Sequence, residues 1–520
     1  MYYLDNHTKT AQVLLFVFFW LSVLSLSAQE SRFLFTYTDE DHSWFAKDAI
    51  ETVSGDFIIG AQNDWGSESL LLKLSPDGTI LSETPIMATD TNVLLCRLFR
   101  SPNEQEGGYM AFCPCKPSDH SQAAILFVWF DEALEITFCK AIKCPFMEAG
   151  DSFADVKFLT LASSIVATFT IRQNDVPIGP TFLAQISNEY EFVSCQRLDS
   201  ISTVCNLFLA EDDKIGLFYS KLNSSHMGIL TFDKTLQLID RAIISTWTVP
   251  EGSNGDFFHY TIFDMMNSQA AMLPNGSYLV SAKLHENLFH TNGYPYKDDR
   301  SVVLAKYEND FHQPENMIVM EHMNDSIEFP SFYRSMDFRE TDEVTGCDVY
   351  QCSILNELPQ WGLFQPYPTG IVVTKTDQDL NLIWKKRFLT DKNYQPTIIN
   401  ATADGGCLVV GSIGDYQTQR FDVFALKINA DGSVGTKETI VEDICPYACW
   451  PNPAKDVLHL SFSPDVQPAQ AELYDLQGRL VRTWRNGLET LSLQGLAPGT
   501  YTLRVALEDG TVFTDKVVKE

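Results

Sequence analysis

The chain has 520 residues, 45% of them hydrophobic and 20% charged, and its 68 Asp and Glu outnumber 37 Lys and Arg for a formal net charge of −31. Such a length accommodates two to four average domains, or one large repeat architecture with a smaller companion. The acidic residues are scattered instead of gathered in a tail, and a surface this anionic repels phosphate backbones; this excludes nucleic acid as a natural partner and suits a well-hydrated exported protein.

At the N-terminus, Val13 to Leu26 is a fourteen-residue apolar run preceded by Lys9 and followed by Ser27-Ala28-Gln29. It is too short to span a bilayer comfortably and ends in small residues, so we read residues 1–28 as a signal peptide, with an uncleaved anchor as the alternative. No later stretch reaches eighteen uninterrupted apolar residues. The twelve cysteines all lie beyond the expected cleavage site, which fits an oxidising compartment. The close pairs Cys139/Cys144, Cys195/Cys205, Cys347/Cys352 and Cys445/Cys449 are the disulfide candidates. A zinc site built from Cys113, Cys115, Cys139 and Cys144 is the sharper alternative, but the single-residue gap in the first pair suits a zinc knuckle poorly.

From residue 33 to 440 a unit recurs. Each copy has a glycine- or aspartate-led apolar strand, a polar loop, a second apolar strand ending near Lys, and a turn rich in Asp, Asn and Gly. The clearest copies run from Gly55 to Leu81 and from Gly405 to Gly435, at the two ends of the region, and five weaker copies lie between them at spacings of 50 to 69 residues. Short strands, frequent turn signals and a period in this range predict an all-β fold, a β-propeller of about seven blades. Closure of such a ring would join the first and last segments in one blade. Tandem sandwiches and a β-helix are the competing architectures.

Motifs for chemistry are few. His285 and His290 resemble a zinc-protease pair but stand five apart, which points them to different sides of a helix or strand. Asp377, Asp379 and Asn381 begin like a calcium loop, yet Leu382 occupies the glycine position and Phe388 the position of the bidentate Glu, so a solvated turn is expected. Ser75 to Thr79 reads as a hairpin turn. No nucleophile elbow, phosphate loop or dinucleotide fingerprint is present. The expectation is no metal, no cofactor and no catalytic residue. The best binding candidate is the loop Asn356 to Thr369, where Trp361, Phe364 and Tyr367 stand among three prolines as rigid faces for a glycan or protein.

After a linker over 441–449, residues 450–520 form a separate short β-domain. Tyr501, Leu503, Val505 and Leu507 alternate with Thr502, Arg504, Ala506 and Glu508, and Leu458, Leu460 and Phe462 do the same after a Pro-Asn-Pro opening. Asp475 to Gly478 and Pro498-Gly499 read as tight turns that use glycine at positive φ. Six strands in a small antiparallel sandwich follow. The opening Pro451, Asn452 and Pro453, the core Leu473, Tyr474, Asp475 and Gly478, and the later Gly499 and Tyr501 resemble the type A C-terminal sorting domain of the bacterial type IX secretion system, although Glu520 departs from its usual basic ending. The resemblance implies an Ig-like sandwich, recognition by the type IX machinery, cleavage as cargo reaches the surface, and a secreted or outer-membrane location. The repeats in turn are similar to DGG-led propeller repeats of exported proteins that bear this tail. Two functions are therefore expected of the middle region: binding of a glycan, peptide or surface protein, or hydrolysis of a polysaccharide or peptide by carboxylates at a propeller mouth.

Overall fold

The computed structural model describes residues 33–519 apart from short internal stretches, the longest being 356–368. The expected signal peptide over residues 1–28 therefore lies outside the described residues. The chain divides into two compact units, Met1–Ile440 and Val441–Glu520.

In the first unit seven antiparallel sheets follow one another in chain order among the described residues. The first sheet shows the plan: Trp44–Glu51, Phe57–Asn63, Ser69–Leu74 and Ile80–Ile86 pair as a simple meander. Its second strand, FIIGAQN, is buried on both faces, whereas the fourth alternates exposed and half-buried positions. Both faces are dry in the middle strands because neighbouring sheets cover them, and that is why they read as continuous apolar runs. The hydrophobic clusters accordingly lie between consecutive sheets: Ile58 and Leu71 of the first sheet pack with Val93, Ala111 and Val128 of the second. Phe112, Phe127 and Trp129 of the second pack with Phe169, Ala184 and Ile186 of the third.

The last sheet combines Asn393–Ala401, Cys407–Asp415 and Arg420–Ile428 with the first described strand, Phe33–Tyr37. Phe33 pairs with Lys427 and Tyr37 with Val423. Phe33 also joins a cluster that spans the seventh and first sheets, with Ala46, Ile59, Leu72, Val410 and Val423. The two ends of the region are thus tied together, the arrangement of a β-propeller. The longer interval around the fifth repeat holds an added hairpin, Trp247–Glu251 with Asp256–Phe263, which extends the fifth sheet beyond four strands.

An ion pair explains the lettering of the repeat. Asp56 and Lys73 meet at 2.9 Å, Asp348 and Lys375 at 2.9 Å, and Asp404 and Lys427 at 2.8 Å. The aspartate leads one strand and the lysine ends the next, so the pair sits at the same end of adjoining strands. Both partners are largely buried in each case, and Lys427 is fully so.

The second unit has two antiparallel sheets. One contains Tyr447–Trp450, Val457–Phe462 and Thr490–Ser492, the other Leu480–Trp484, Pro468–Tyr474, Gly499–Leu507 and Val512–Lys519. Leu458, Leu460 and Leu491 of the first share one core with Leu473, Leu503, Val505 and Val517 of the second. One detail differs from expectation. Tyr447–Trp450, read in part as linker, is a strand, with Trp450 opposite His459. Gly499 keeps the expected positive φ, at 158°, but opens the strand Gly499–Leu507 and has no atom within 4 Å of where a Cβ would be; a second positive φ, 81°, belongs to Gly495 in the turn that closes Leu493–Leu496.

Candidate functional site

Edge strands of successive sheets converge on one place. Arg97 begins the strand Arg97–Arg100 of the second sheet, Lys157 lies on Ser152–Leu161 of the third, Asn206 on Thr203–Leu209 of the fourth and Gln269 on Gln269–Met272 of the fifth. Tyr333 and Arg334 precede Met336–Glu340 of the sixth. With Val156, Phe158 and Leu207 these residues line a cavity of about 80 Å³. That volume holds on the order of five waters, hence a small polar group and not an oligosaccharide. The lining carries three cations, Arg97, Lys157 and Arg334, and no carboxylate.

Asp48, on the first sheet, organises the cations from behind. Its side chain is 0% exposed and receives Arg97 Nε at 3.2 Å and Arg334 Nη2 at 3.3 Å. The backbone amides of Ala49 and Leu98 donate to the same carboxylate at 3.0 and 2.9 Å. Arg334 also donates to Asn400, whose amide nitrogen reaches the Ala49 carbonyl at 2.7 Å. A charge out of water is stable only with such a complete set of donors, so Asp48 ties the first, second and sixth sheets together while orienting two guanidiniums. Burial raises the pKa of Asp337, close to Arg334, against the pull of Arg334 and of the Ala401 amide at 2.8 Å.

Tyr333 stands between two lysines. Lys47 Nζ donates to its hydroxyl at 3.0 Å and lies 5.0 Å from the ring centroid, and Lys157 Nζ lies 5.6 Å from the same centroid. Lys157 also pairs with Asp155 at 3.2 Å. Tyr333 is 45% exposed, an aromatic residue flanked by cations at the surface. Asn206 and Gln269 are occupied otherwise: Asn206 bonds Ala270 N and O, and Gln269 accepts the amides of Ser335 and Met336, which stitch the fourth, fifth and sixth sheets.

The residues predicted from sequence lie elsewhere. Trp361, Phe364 and Tyr367 fall outside the described residues, as do Pro451, Asn452, Pro453, Gly478 and Cys445. Leu473 and Tyr501 are buried in the core of the second unit, and the Tyr501 hydroxyl donates to Ala497 O at 2.8 Å. Tyr474 donates to Glu472 at 2.8 Å, while Asp475 receives Arg479 at 2.7 Å in its turn. The aspartate of the supposed calcium loop closes a hairpin, with Asp377 Oδ1 accepting the amides of Asp379 and Asn381 at 2.9 Å. Among the described residues no group of His, Cys, Asp and Glu could hold a metal ion.

Three of the four cysteine pairs require correction, while Cys445 of the fourth lies outside the described residues. None of Cys139, Cys144, Cys195, Cys205, Cys347 and Cys352 is bonded to the neighbour that chain proximity suggested. Cys347 and Cys352 share the strand Cys347–Leu355, where five residues span about 16 Å and reverse the face, well beyond the ~7 Å reach of a disulfide. Cys139 pairs with Val128, which faces the first sheet, whereas Cys144 packs in the cluster between the second and third. Cys205 lies in the cluster between the fourth and fifth sheets, and Cys195 pairs with Ala184, which faces the second. Cys449 is on the strand Tyr447–Trp450.

Sequence reasoning missed Lys47, Arg97, Lys157 and Arg334. The available signal was a polar residue on or just before an edge strand of six successive sheets, as Lys47, Arg97, Lys157, Asn206, Gln269 and Arg334 recur at intervals of 49 to 65 residues.

Comparison with known proteins adds the following. An exo-β-1,3-galactanase from Phanerochaete chrysosporium has 8% identity over 91% of this chain and 90% of its own, with a TM-score of 0.31. A subtype N10 neuraminidase-like protein of A/little yellow-shouldered bat/Guatemala has 9% identity over 76% and 98%, with a TM-score of 0.32. The extracellular domain of a putative one-component system from B. thetaiotaomicron has 9% identity over 91% and 81%, with a TM-score of 0.20. At these levels none of them lends an activity to this chain. No curated protein matches it. Residues 448–520, the two-sheet unit with its Leu473, Tyr501 and Leu503 core, match the secretion system C-terminal sorting domain, and the tail marks the protein for export through the type IX machinery to the medium or the cell surface.

Proposed function

We propose that the propeller is a non-enzymatic binding module of the exported protein, and that its central cavity takes the carboxylate of an acidic saccharide. The observation that carries this reading is the lining itself: three cations and the Tyr333 ring, with no acid among them. Glycoside hydrolysis needs a pair of carboxylates facing the scissile bond, and Asp48 is fully enclosed by its four donors, so the hydrolase reading lacks its acid and base here. A cationic cleft in a chain of net charge −31 also focuses the field on an anion that the rest of the surface repels. The cavity admits one carboxylate-bearing group, and the rest of a glycan would lie outside it against the Tyr333 face. We include Trp361, Phe364 and Tyr367 in the same reading as the aromatic faces that their sequence suggests for a glycan.

The test is calorimetric titration with an oligomer of glucuronic acid and with its neutral glucose counterpart. The acidic oligomer should bind and the neutral one should not. Lys157→Gln should weaken binding about tenfold or more, the effect of one charge-assisted bond, with an unchanged melting temperature. Equal binding of both oligomers, or full affinity in the Lys157 variant, contradicts the proposal.

A further inference from the structure

Cys144 and Cys195 belong to consecutive sheets and face one interface. Cys144 follows the strand Ile136–Lys143 of the second sheet and is completely buried between that sheet and the third. Two residues on, Phe146 stacks on Phe182 at 4.7 Å and meets Phe192 edge-on at 5.7 Å. In the third sheet Phe182 pairs with Arg197, Ala184 with Cys195 and Ile186 with Phe192. Paired residues share a face, so Phe192, Cys195 and Arg197 all look toward the second sheet, with Cys195 between the two positions that Phe146 spans. Both thiols therefore belong to the same inter-sheet seam, whereas Cys139 and Cys205 are turned to other seams.

We propose that Cys144 and Cys195 are joined by a disulfide in the exported protein, so that a covalent clasp links the outer strands of the second and third sheets. In forming it the two thiols lose two protons and two electrons and gain one S–S bond. The oxidant is a protein disulfide of a thiol–disulfide oxidoreductase in the exporting compartment; its S–S bond is broken and both of its sulfurs become thiols. Burial, and then the nearby Cys195, hold the Cys144 thiol well above its ordinary pKa, and burial pushes Cys195 up to about 11. Neither is a ready thiolate in the folded sheet, so the bond forms while the chain is still folding after export. The inference rests on the export of the protein and is independent of what the cavity binds.

The test uses the full chain purified from its secreting cells, with free thiols blocked by N-ethylmaleimide in denaturant before digestion. Mass spectrometry without reductant should show one peptide pair linking Cys144 to Cys195, which disappears on reduction. Dithiothreitol should also lower the melting temperature by roughly 5 °C, a shift that Cys144→Ser/Cys195→Ser abolishes. Cys139→Ser should leave the linked peptide in place. Recovery of Cys144 and Cys195 both as blocked thiols, or of either linked to Cys139 or Cys205, overturns the proposal.

Discussion

At Asp48 one carboxylate serves three sheets, so its removal takes the shared counter-charge from Arg97 and Arg334. Asp48→Asn should cost about 3 kcal/mol or more in denaturant unfolding, the usual result of breaking a buried ion pair on one side. An unchanged midpoint would mean that the arginines are satisfied without it. Asp404 tests the sign of a second charge. Burial raises its pKa, but the Lys427 bond and the Thr402 hydroxyl outweigh burial and leave it below the ordinary value. Its contribution is present above the carboxylate range near pH 3.9 and is lost as pH falls through the lowered pKa. Thermal melts should therefore separate the protein from its Asp404→Asn variant at pH 6, with the gap closing toward pH 3; a gap that widens on acidification would contradict the pairing. Side-chain direction is also where sequence proximity misled. Cys139 and Cys144 are neighbours in the chain, yet only the register of Cys139 with Val128 shows that they serve different seams.

Strands and turns were largely legible from the residues. The Asp-led and Lys-ended runs predicted the middle strands because one ion pair links them in several sheets, as in Asp56–Lys73 and Asp404–Lys427. Edge strands were harder to read, and with them the cavity. They are irregular: the pairing of Trp44–Glu51 skips between Ala46 and Asp48, and that of Asn393–Ala401 skips between Pro396 and Ile398. A bulge breaks the two-residue alternation on which strand reading depends, and Lys47 sits at one. In the second unit the alternation of Tyr501, Leu503 and Val505 identified a dry face correctly and Gly499 has the positive φ read from Pro498-Gly499, while the turn at Gly495 carried no proline to announce it. Gly495→Val, at φ 81°, should destabilise the unit by about 1–2 kcal/mol. Measured by denaturant unfolding of the whole chain, an unchanged stability of the second unit in Gly495→Val would contradict this assignment.

For the molecule as a whole, the strand Phe33–Tyr37 completes a sheet whose other members lie nearly 400 residues away in sequence, so the ring's stability depends on its first few residues. Deleting 33–37 bares the edge of Arg420–Ile428 and opens the Phe33 cluster; the melting temperature of the first unit should fall in one cooperative step. Persistence of the original transition would mean that the sheets are stable separately. The two units have separate cores, and the division of labour follows: one carries the cavity, the other the address. The measurement that tests this most directly is the location of the chain truncated before Tyr447, followed by protease treatment of intact cells. The account predicts a propeller that melts as in the full-length protein but stays inside, shielded from the protease; a truncated chain that appears at the surface or in the medium as efficiently as the intact one would contradict it.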